Sequence, residues 1–142
     1  MRYFSILIIA LFLTACGDND NDYLTIEEYL AANPDIETEM TGSGLHYIIH
    51  DRGDNATPNL GSTINIDYTG YFLDDDTFDS GNDVTFPLGN LIEGWQEGIR
   101  LIGKGGSITL IIPFELAYGR QGSGSIPGST DIGFDITLHD FN

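Results

Sequence analysis

The sequence is poor in cysteine and in basic residues. Its 142 residues include a single cysteine, Cys16, so no disulfide can form within the chain. Five Lys and Arg stand against 22 Asp and Glu, which gives a formal net charge of -17. Such an acidic chain repels the phosphate backbone of nucleic acids, which excludes them as partners. We interpret the acidic excess itself as a solvated surface.

The usual hydrolase and metal-binding motifs are also missing. Neither G-x-S-x-G nor H-E-x-x-H occurs. His46 and His50 are four residues apart, and on a strand this separation does not bring two imidazoles to one metal ion. Residues 98–104 have part of the P-loop spacing, but Gly105 stands where Ser or Thr must bind magnesium. The sequence therefore predicts neither a metal ion nor a cofactor.

The N-terminus carries a short apolar run over residues 3–13, after Met1 and Arg2. The run is too short to span a bilayer as a mature helix, which is typical of a secretory signal peptide. It closes on Leu-Thr-Ala-Cys, which resembles the lipobox of bacterial lipoproteins. The resemblance implies that residues 1–15 are a cleaved signal peptide and that Cys16 becomes lipidated.

This ending implies a location in the cell envelope. Each buried CH₂ contributes ~0.8 kcal/mol, so several acyl chains on Cys16 would hold the protein firmly on a membrane. Asp18 is at the second position after the cysteine, not at the first. That departs from the usual inner-membrane retention signal and favours the outer membrane. The sequence does not distinguish the periplasmic face of that membrane from its surface face. Residues 16–41 are interpreted as the lipidated cysteine, an acidic tether and a short helix.

Local patterns predict one short helix before the main domain and several strands within it. Residues 25–28, Thr-Ile-Glu-Glu, form a capping box, and Asn33-Pro34 ends the helix. From Gly44 onward apolar and polar residues alternate, which predicts strands around residues 45–49, 64–68 and 132–138. Residues 107–112 are apolar almost throughout, which predicts a central strand that is buried on both faces.

A helical spacing interrupts the strand pattern once. It predicts a helix of about three turns, with one apolar stripe that consists of Ile92, Trp95, Ile99 and Ile102. Gly94 and Gly98 each lower the helix propensity by roughly 1 kcal/mol, which favours a close approach of this helix to the sheet. The chain is therefore predicted to be an α+β protein, a curled antiparallel sheet packed on one helix.

Aromatic residues occur in short blocks along the second half of the chain. Spacing alone favours plain core packing for them. The blocks, in order, are Tyr68-Thr69-Gly70, Phe78-Asp79-Ser80, Phe86-Pro87-Leu88-Gly89, Leu91-Ile92 with Gly94-Trp95, Leu116-Ala117-Tyr118-Gly119, Ile126-Pro127 and Phe134-Asp135. The ordered set resembles the FKBP-type peptidyl-prolyl isomerases over residues 42–142. The resemblance implies an FKBP-like half-barrel, a curled antiparallel sheet wrapped around one short helix with an apolar pocket between them.

The resemblance also implies a role for each pocket residue. Trp95 would form the floor, and the backbone N–H of Ile126 would donate a hydrogen bond to the substrate carbonyl. Catalysis is expected of Tyr68, Asp79, Tyr118, Ile126 and Phe134. Substrate binding is expected of Phe78, Phe86, Leu91, Ile92 and Trp95. Asp79 would be a hydrogen-bonding group at the pocket edge, and Tyr118 would offer its hydroxyl.

The function implied is cis–trans isomerisation of X–Pro bonds in exported proteins by a monomer without a cofactor. The barrier to this rotation is ~20 kcal/mol, and an apolar pocket favours the twisted amide. Gly128 and Gly133 are predicted to loosen the pocket loop and the strand after it. That looseness favours an alternative, a non-catalytic module or chaperone that binds proline-containing or apolar segments. A structural lipoprotein without a ligand is a third reading.

Overall fold

A computed structural model of the chain describes residues 23–142. The predicted signal peptide, the predicted lipidation site Cys16 and the predicted acidic tether lie outside the described residues. Within residues 23–142, no helix combines the length and apolar character that crossing a membrane requires.

The first helix, α1, spans Ile26–Ala32 and begins as predicted. The Thr25 hydroxyl accepts a hydrogen bond from the Glu28 N–H at 3.3 Å, and the Glu28 carboxylate accepts one from the Thr25 N–H at 2.9 Å. Asn33 caps the other end through a hydrogen bond from its N–H to the Leu30 carbonyl. The predicted capping box and the stop before Pro34 are therefore confirmed.

One six-stranded sheet forms the body of the protein, and all its neighbouring strands are antiparallel. The strands are β1 Glu39–Met40, β2 His46–Asp51, β3 Thr63–Phe72, β4 Thr77–Pro87, β5 Ser107–Ile112 and β6 Ile132–Phe141. Their order across the sheet is β1-β2-β5-β6-β3-β4. The four predicted strands are confirmed as β2, β3, β5 and β6. The edge strands β1 and β4 were not predicted.

The second helix, α2, is shorter than predicted. It spans only Glu93–Gly98 and continues as a 3₁₀ turn over Ile99–Leu101. Ile92 is the N-cap, and Ile102 has already left the helix with an extended backbone at φ -124° and ψ 157°. The apolar stripe is nevertheless buried at its C-terminal end, because the tighter turn keeps Ile99 against the core.

Close packing of α2 on β5 explains the two glycines of the helix. A Cβ on Gly94 would lie 2.6 Å from Cγ2 of Ile112, and one on Gly98 would collide with Cδ2 of Leu110. The predicted close approach is confirmed. The helix therefore lies against the sheet at a distance that no larger residue allows at these two positions.

Strand β5 is buried on both faces, as its apolar composition predicted. Ile108, Leu110 and Ile112 belong to the main core beside α2. Ile111 points to the other face, where it packs with Leu73 of the β3–β4 turn and Ile26 of α1. The short N-terminal helix therefore covers the outer face of the sheet that α2 leaves open.

Candidate functional site

A cavity of about 120 Å³ opens beside α2. Eight of the ten residues predicted for the pocket line it: Tyr68, Asp79, Phe86, Leu91, Ile92, Trp95, Tyr118 and Phe134. They come from β3, β4, the N-terminal end of α2, the loop before β6, and β6 itself. The fold therefore brings residues that are up to 66 positions apart, from Tyr68 to Phe134, into one apolar cavity with two phenolic hydroxyls and one carboxylate.

Trp95 forms the inner wall of the cavity and is only 5% exposed. Its ring meets Phe134 edge to face, with centroids 5.0 Å apart, and Tyr68 at 5.2 Å. Aromatic pairs in this geometry contribute about 0.5–1.5 kcal/mol beyond the burial of their area. Within the part of the chain that the structure describes, the Trp95 indole N–H has no hydrogen-bond partner.

Phe78 does not line the cavity, which differs from the substrate-binding role expected of it. Its ring lies behind Phe134, with centroids 5.6 Å apart at 88°, and also contacts Phe72 at 5.1 Å. Gly70 makes room for this pair: a Cβ there would be 2.5 Å from Phe134 Cε1 and 2.8 Å from Phe78 Cζ. Phe78 therefore holds Phe134 in place and is separated from a ligand.

Ile126 also differs from the prediction. Its N–H donates to the Ser123 carbonyl at 2.9 Å, and the Ser123 N–H donates to the Ile126 carbonyl at the same distance. The intervening Gly124 takes a positive φ of 55°, which closes a tight turn. The Ile126 side chain is 7% exposed and belongs to the core. Its amide is therefore already paired, and the donor role predicted for Ile126 is not supported.

Ile92 brings to the cavity a backbone N–H that was not predicted to be a donor. As the N-cap of α2 it accepts hydrogen bonds at its carbonyl from the N–H groups of Trp95 and Gln96. Among residues 23–142, no acceptor pairs with the Ile92 N–H itself. The first amides of a helix lack partners within the helix, and this one belongs to a residue that lines the cavity. The expected start of a helix near residue 92 is therefore the sequence signal that could have identified this free N–H.

Asp79 binds the Tyr68 hydroxyl and lies near that of Tyr118 in the same cavity. One of its carboxylate oxygens accepts a hydrogen bond from the Tyr68 hydroxyl at 2.8 Å, and the other accepts one from the Ser80 N–H at 2.9 Å. Burial, the hydrogen bond to Asp79 and the negative charge of Asp79 raise the pKa of Tyr68 to about 12. Burial and then the Asp79 charge also raise the pKa of Tyr118. Both phenols are therefore protonated donors at neutral pH.

The glycines that were expected to loosen the site are instead required by packing. A Cβ on Gly128 would collide with the Arg120 carbonyl oxygen, and one on Gly133 would collide with the Tyr71 ring. Both positions are places where another group lies directly against the backbone. Both positions are therefore close-packed in the structure, and the loosening of the loop and strand stays a prediction.

A larger groove of about 600 Å³ lies beside α1 and is more open to solvent. It contains the carboxylates of Glu27, Glu115 and Asp131, but both Asp131 oxygens accept backbone N–H groups, from Ile26 and Phe114. Across the described residues, no three His, Cys, Asp or Glu side chains lie close enough to hold a metal ion. The smaller aromatic cavity is therefore the better candidate for chemistry.

Solved structures share this architecture, an antiparallel sheet packed on one short helix, beside which the aromatic cavity of this chain opens. The chain is similar to the crystal structure of FkpA from Escherichia coli, with a TM-score of 0.76 and 34% identity over 82% of this chain and 57% of that one. It is also similar to AtFKBP13, with a TM-score of 0.68 and 32% identity over 74% of this chain and 98% of that one. The predicted FKBP-like fold is confirmed.

Family membership follows from the sequence match. The model of the FKBP-type peptidyl-prolyl cis-trans isomerase family matches residues 54–139, more than half of the chain. The chain belongs to this family. It is 41% identical over 117 residues to the FKBP-type peptidyl-prolyl cis-trans isomerase FkpA of Aeromonas hydrophila, and 35% identical over 128 residues to FkpA of Escherichia coli K12. The alignments cover 79% and 87% of this chain but only 44% and 47% of those relatives.

Proposed function

We propose that the aromatic cavity catalyses cis–trans isomerisation of X–Pro bonds in polypeptide substrates. The observation that carries this proposal is the convergence of eight residues on a cavity with apolar walls and donors at its edge. Membership of the family supports the same reaction. The proposed substrates are proline-containing polypeptides, and the protein acts on them as a monomer.

The reaction needs no bond to be made or broken. Rotation of the X–Pro amide removes its conjugation, which accounts for a barrier of ~20 kcal/mol. The twisted amide is less charge-separated than the planar one, so walls made of Trp95, Phe134 and Phe86 favour it relative to water. A reduction of ~4–5 kcal/mol would raise the rate by a few powers of ten.

Two donors at the cavity are placed to bind the twisted substrate. Among residues 23–142, neither the Ile92 N–H nor the Tyr118 hydroxyl has a hydrogen-bond partner. The Tyr68 hydroxyl, by contrast, is already held by Asp79. We assign the substrate carbonyl to the Ile92 N–H. Tyr118 supplies a second hydrogen bond, and the Tyr68–Asp79 pair holds the wall.

Removal of the Tyr118 hydroxyl tests this assignment. The full chain should accelerate the cis–trans isomerisation of a proline tetrapeptide, and Tyr118→Phe should lower kcat/KM roughly fivefold, since a hydrogen bond contributes ~1 kcal/mol. Tyr47→Phe is the matched control, because the Tyr47 hydroxyl bonds only to the surface Glu39. That variant should keep wild-type kcat/KM. Absence of any acceleration by the wild-type chain would refute the proposed function.

The alternative of a non-catalytic binding module finds no support in the packing of the two loop and strand glycines. It depended on a loosened loop and strand at Gly128 and Gly133. Both glycines instead lie in close contact with other groups, the Arg120 carbonyl and the Tyr71 ring. The isomerase is therefore the function that the geometry of the site favours.

We also propose that the protein is anchored in the outer membrane of the cell envelope through lipid on Cys16. The Leu-Thr-Ala-Cys ending and the preceding apolar run support this proposal. Expressed in a Gram-negative host, the wild-type chain should sediment with membranes, and Cys16→Ser should abolish this. Thr14→Ser, which keeps the cysteine, is the control. Membrane sedimentation of Cys16→Ser would contradict lipid anchoring at this residue.

A further inference from the structure

The N-terminal segment 23–32 packs directly on the domain, although the family match begins only at residue 54. Ile26 is 9% exposed and lies between Leu73 and Ile111. Tyr23 packs against the main core. A seven-residue helix is marginal on its own, so α1 depends on these contacts for its structure. The segment is therefore part of the folded unit and not only a spacer.

A continuous row of aromatic rings leads from this segment to the cavity. The Tyr23 ring stacks on Phe72, with centroids 4.0 Å apart and planes 13° apart. Phe72 contacts Phe78 at 5.1 Å, Phe78 contacts Phe134 at 5.6 Å, and Phe134 contacts Trp95 at 5.0 Å. The last two rings line the cavity.

The middle of this row has little freedom to adjust. Gly70 leaves no space between its backbone and the rings of Phe78 and Phe134, as the distances to a built Cβ show. Interiors packed at this density transmit a displacement instead of absorbing it. A shift of Phe72 after loss of its stacking partner would therefore move Phe78, and with it Phe134.

A second contact links the same segment to the loop that carries Tyr118. One Asp131 oxygen accepts a hydrogen bond from the Ile26 N–H at 2.9 Å, and the other accepts one from the Phe114 N–H at 2.9 Å. Phe114 precedes Tyr118 in the chain, and Asp131 directly precedes β6. One carboxylate thus joins both ends of this loop to the start of α1.

We propose that Tyr23 is a positioning residue for the isomerase site, which it supports through Phe72, Phe78 and Phe134. The packing of residues 23–32 on the sheet then influences the rate of isomerisation in the cavity. The hydrogen bonds of Asp131 are a second connection between this segment and the cavity. This inference rests on the proposed function for its kinetic consequence. Its structural consequence, the packing around Trp95, can be measured without any activity.

The test compares Tyr23→Ala, Tyr23→Phe and Tyr47→Ala in the full chain. Tyr47 is a matched control because it also packs partly buried against the main core but makes none of the ring contacts in the row. The chain has one tryptophan, so emission excited at wavelengths that indole absorbs and tyrosine does not reports on Trp95 alone. Tyr23→Ala should shift the Trp95 emission and lower kcat for a proline tetrapeptide about fivefold with little change in KM. Tyr23→Phe should restore both, since it keeps the stacked ring.

The control separates positioning from general destabilisation. Tyr47→Ala should lower the melting temperature but keep wild-type emission and kcat, measured where all variants are folded. Wild-type emission in folded Tyr23→Ala would overturn the proposal, as would an equal emission change in Tyr47→Ala. If the wild-type chain has no isomerase activity, the proposed function fails on its own. The emission comparison then still decides whether Tyr23 positions the cavity.

Discussion

Replacement of Ile92 by proline is expected to lower kcat/KM for X–Pro isomerisation by about a hundredfold. The Ile92 N–H holds the bound substrate by its carbonyl, and loss of a contact that positions a substrate can cost on the order of 10²-fold. The backbone accepts proline here, because Ile92 has φ -58° and Leu91 before it is extended at φ -93° and ψ 172°. The substitution therefore removes one N–H without bending the chain.

Ile92→Ala separates the donor from the side chain. Alanine keeps the N–H but removes most of the apolar side chain that lines the cavity, so its loss in kcat/KM should stay within about tenfold. Both variants are measured with the same proline tetrapeptide, and circular dichroism verifies that they are folded. Equal losses in the two variants would show that the amide of Ile92 is not the donor. The carbonyl of the substrate would then need another partner.

Replacement of Gly70 by alanine is expected to lower the free energy of unfolding by about 3 kcal/mol, the upper end of the usual cost of overpacking. The added methyl would overlap the rings of Phe134 and Phe78, which cannot bend out of its way. Phe134 would shift in the cavity, so kcat/KM should fall by about tenfold as well. Denaturant titration and the tetrapeptide assay measure the two effects.

Gly42→Ala is the control for this change. No atom lies within 4 Å of a Cβ built on Gly42, and the backbone φ of Gly42 is not positive. Its stability should stay at the wild-type value or rise by about 0.4–1 kcal/mol, because alanine restricts the unfolded chain. If Gly70→Ala is as stable and active as Gly42→Ala, the Phe78–Phe134 contact is not a constraint on the site.

Much of the fold could be predicted because its signals are local. The capping box at Thr25 and Glu28 needs only four adjacent residues, and the alternation in β3 and β6 reports directly which side chains face the core. Strand β4 was missed because it lies at the edge and is mostly exposed. Its alternation is interrupted where the register with β3 shifts and Asp83 takes a positive φ of 55°.

The errors in the site have a common physical origin. Ile126 and Ile92 are both apolar residues in the pocket region, and only the partners of their amides distinguish them. The Ile126 amide is bonded within a tight turn, whereas the Ile92 amide lies at the start of α2. Likewise, the sequence suggests flexibility at Gly128 and Gly133, whereas the structure shows the Arg120 carbonyl and the Tyr71 ring packed directly against them. The family resemblance predicted most members of the cavity, but their neighbours in three dimensions decided their roles.

The position of β6 between β5 and β3 determines when the protein can fold. Its residues pair with strands far earlier in the chain, for example Phe141 with Ile64. Such pairs require long loops to close first, which makes them slow to form. Until β6 pairs, β3 and β5 remain without their shared neighbour. The other strands can then form only two separate sets, β1-β2-β5 and β3-β4, so the complete sheet and the cavity that Phe134 lines are among the last features to form.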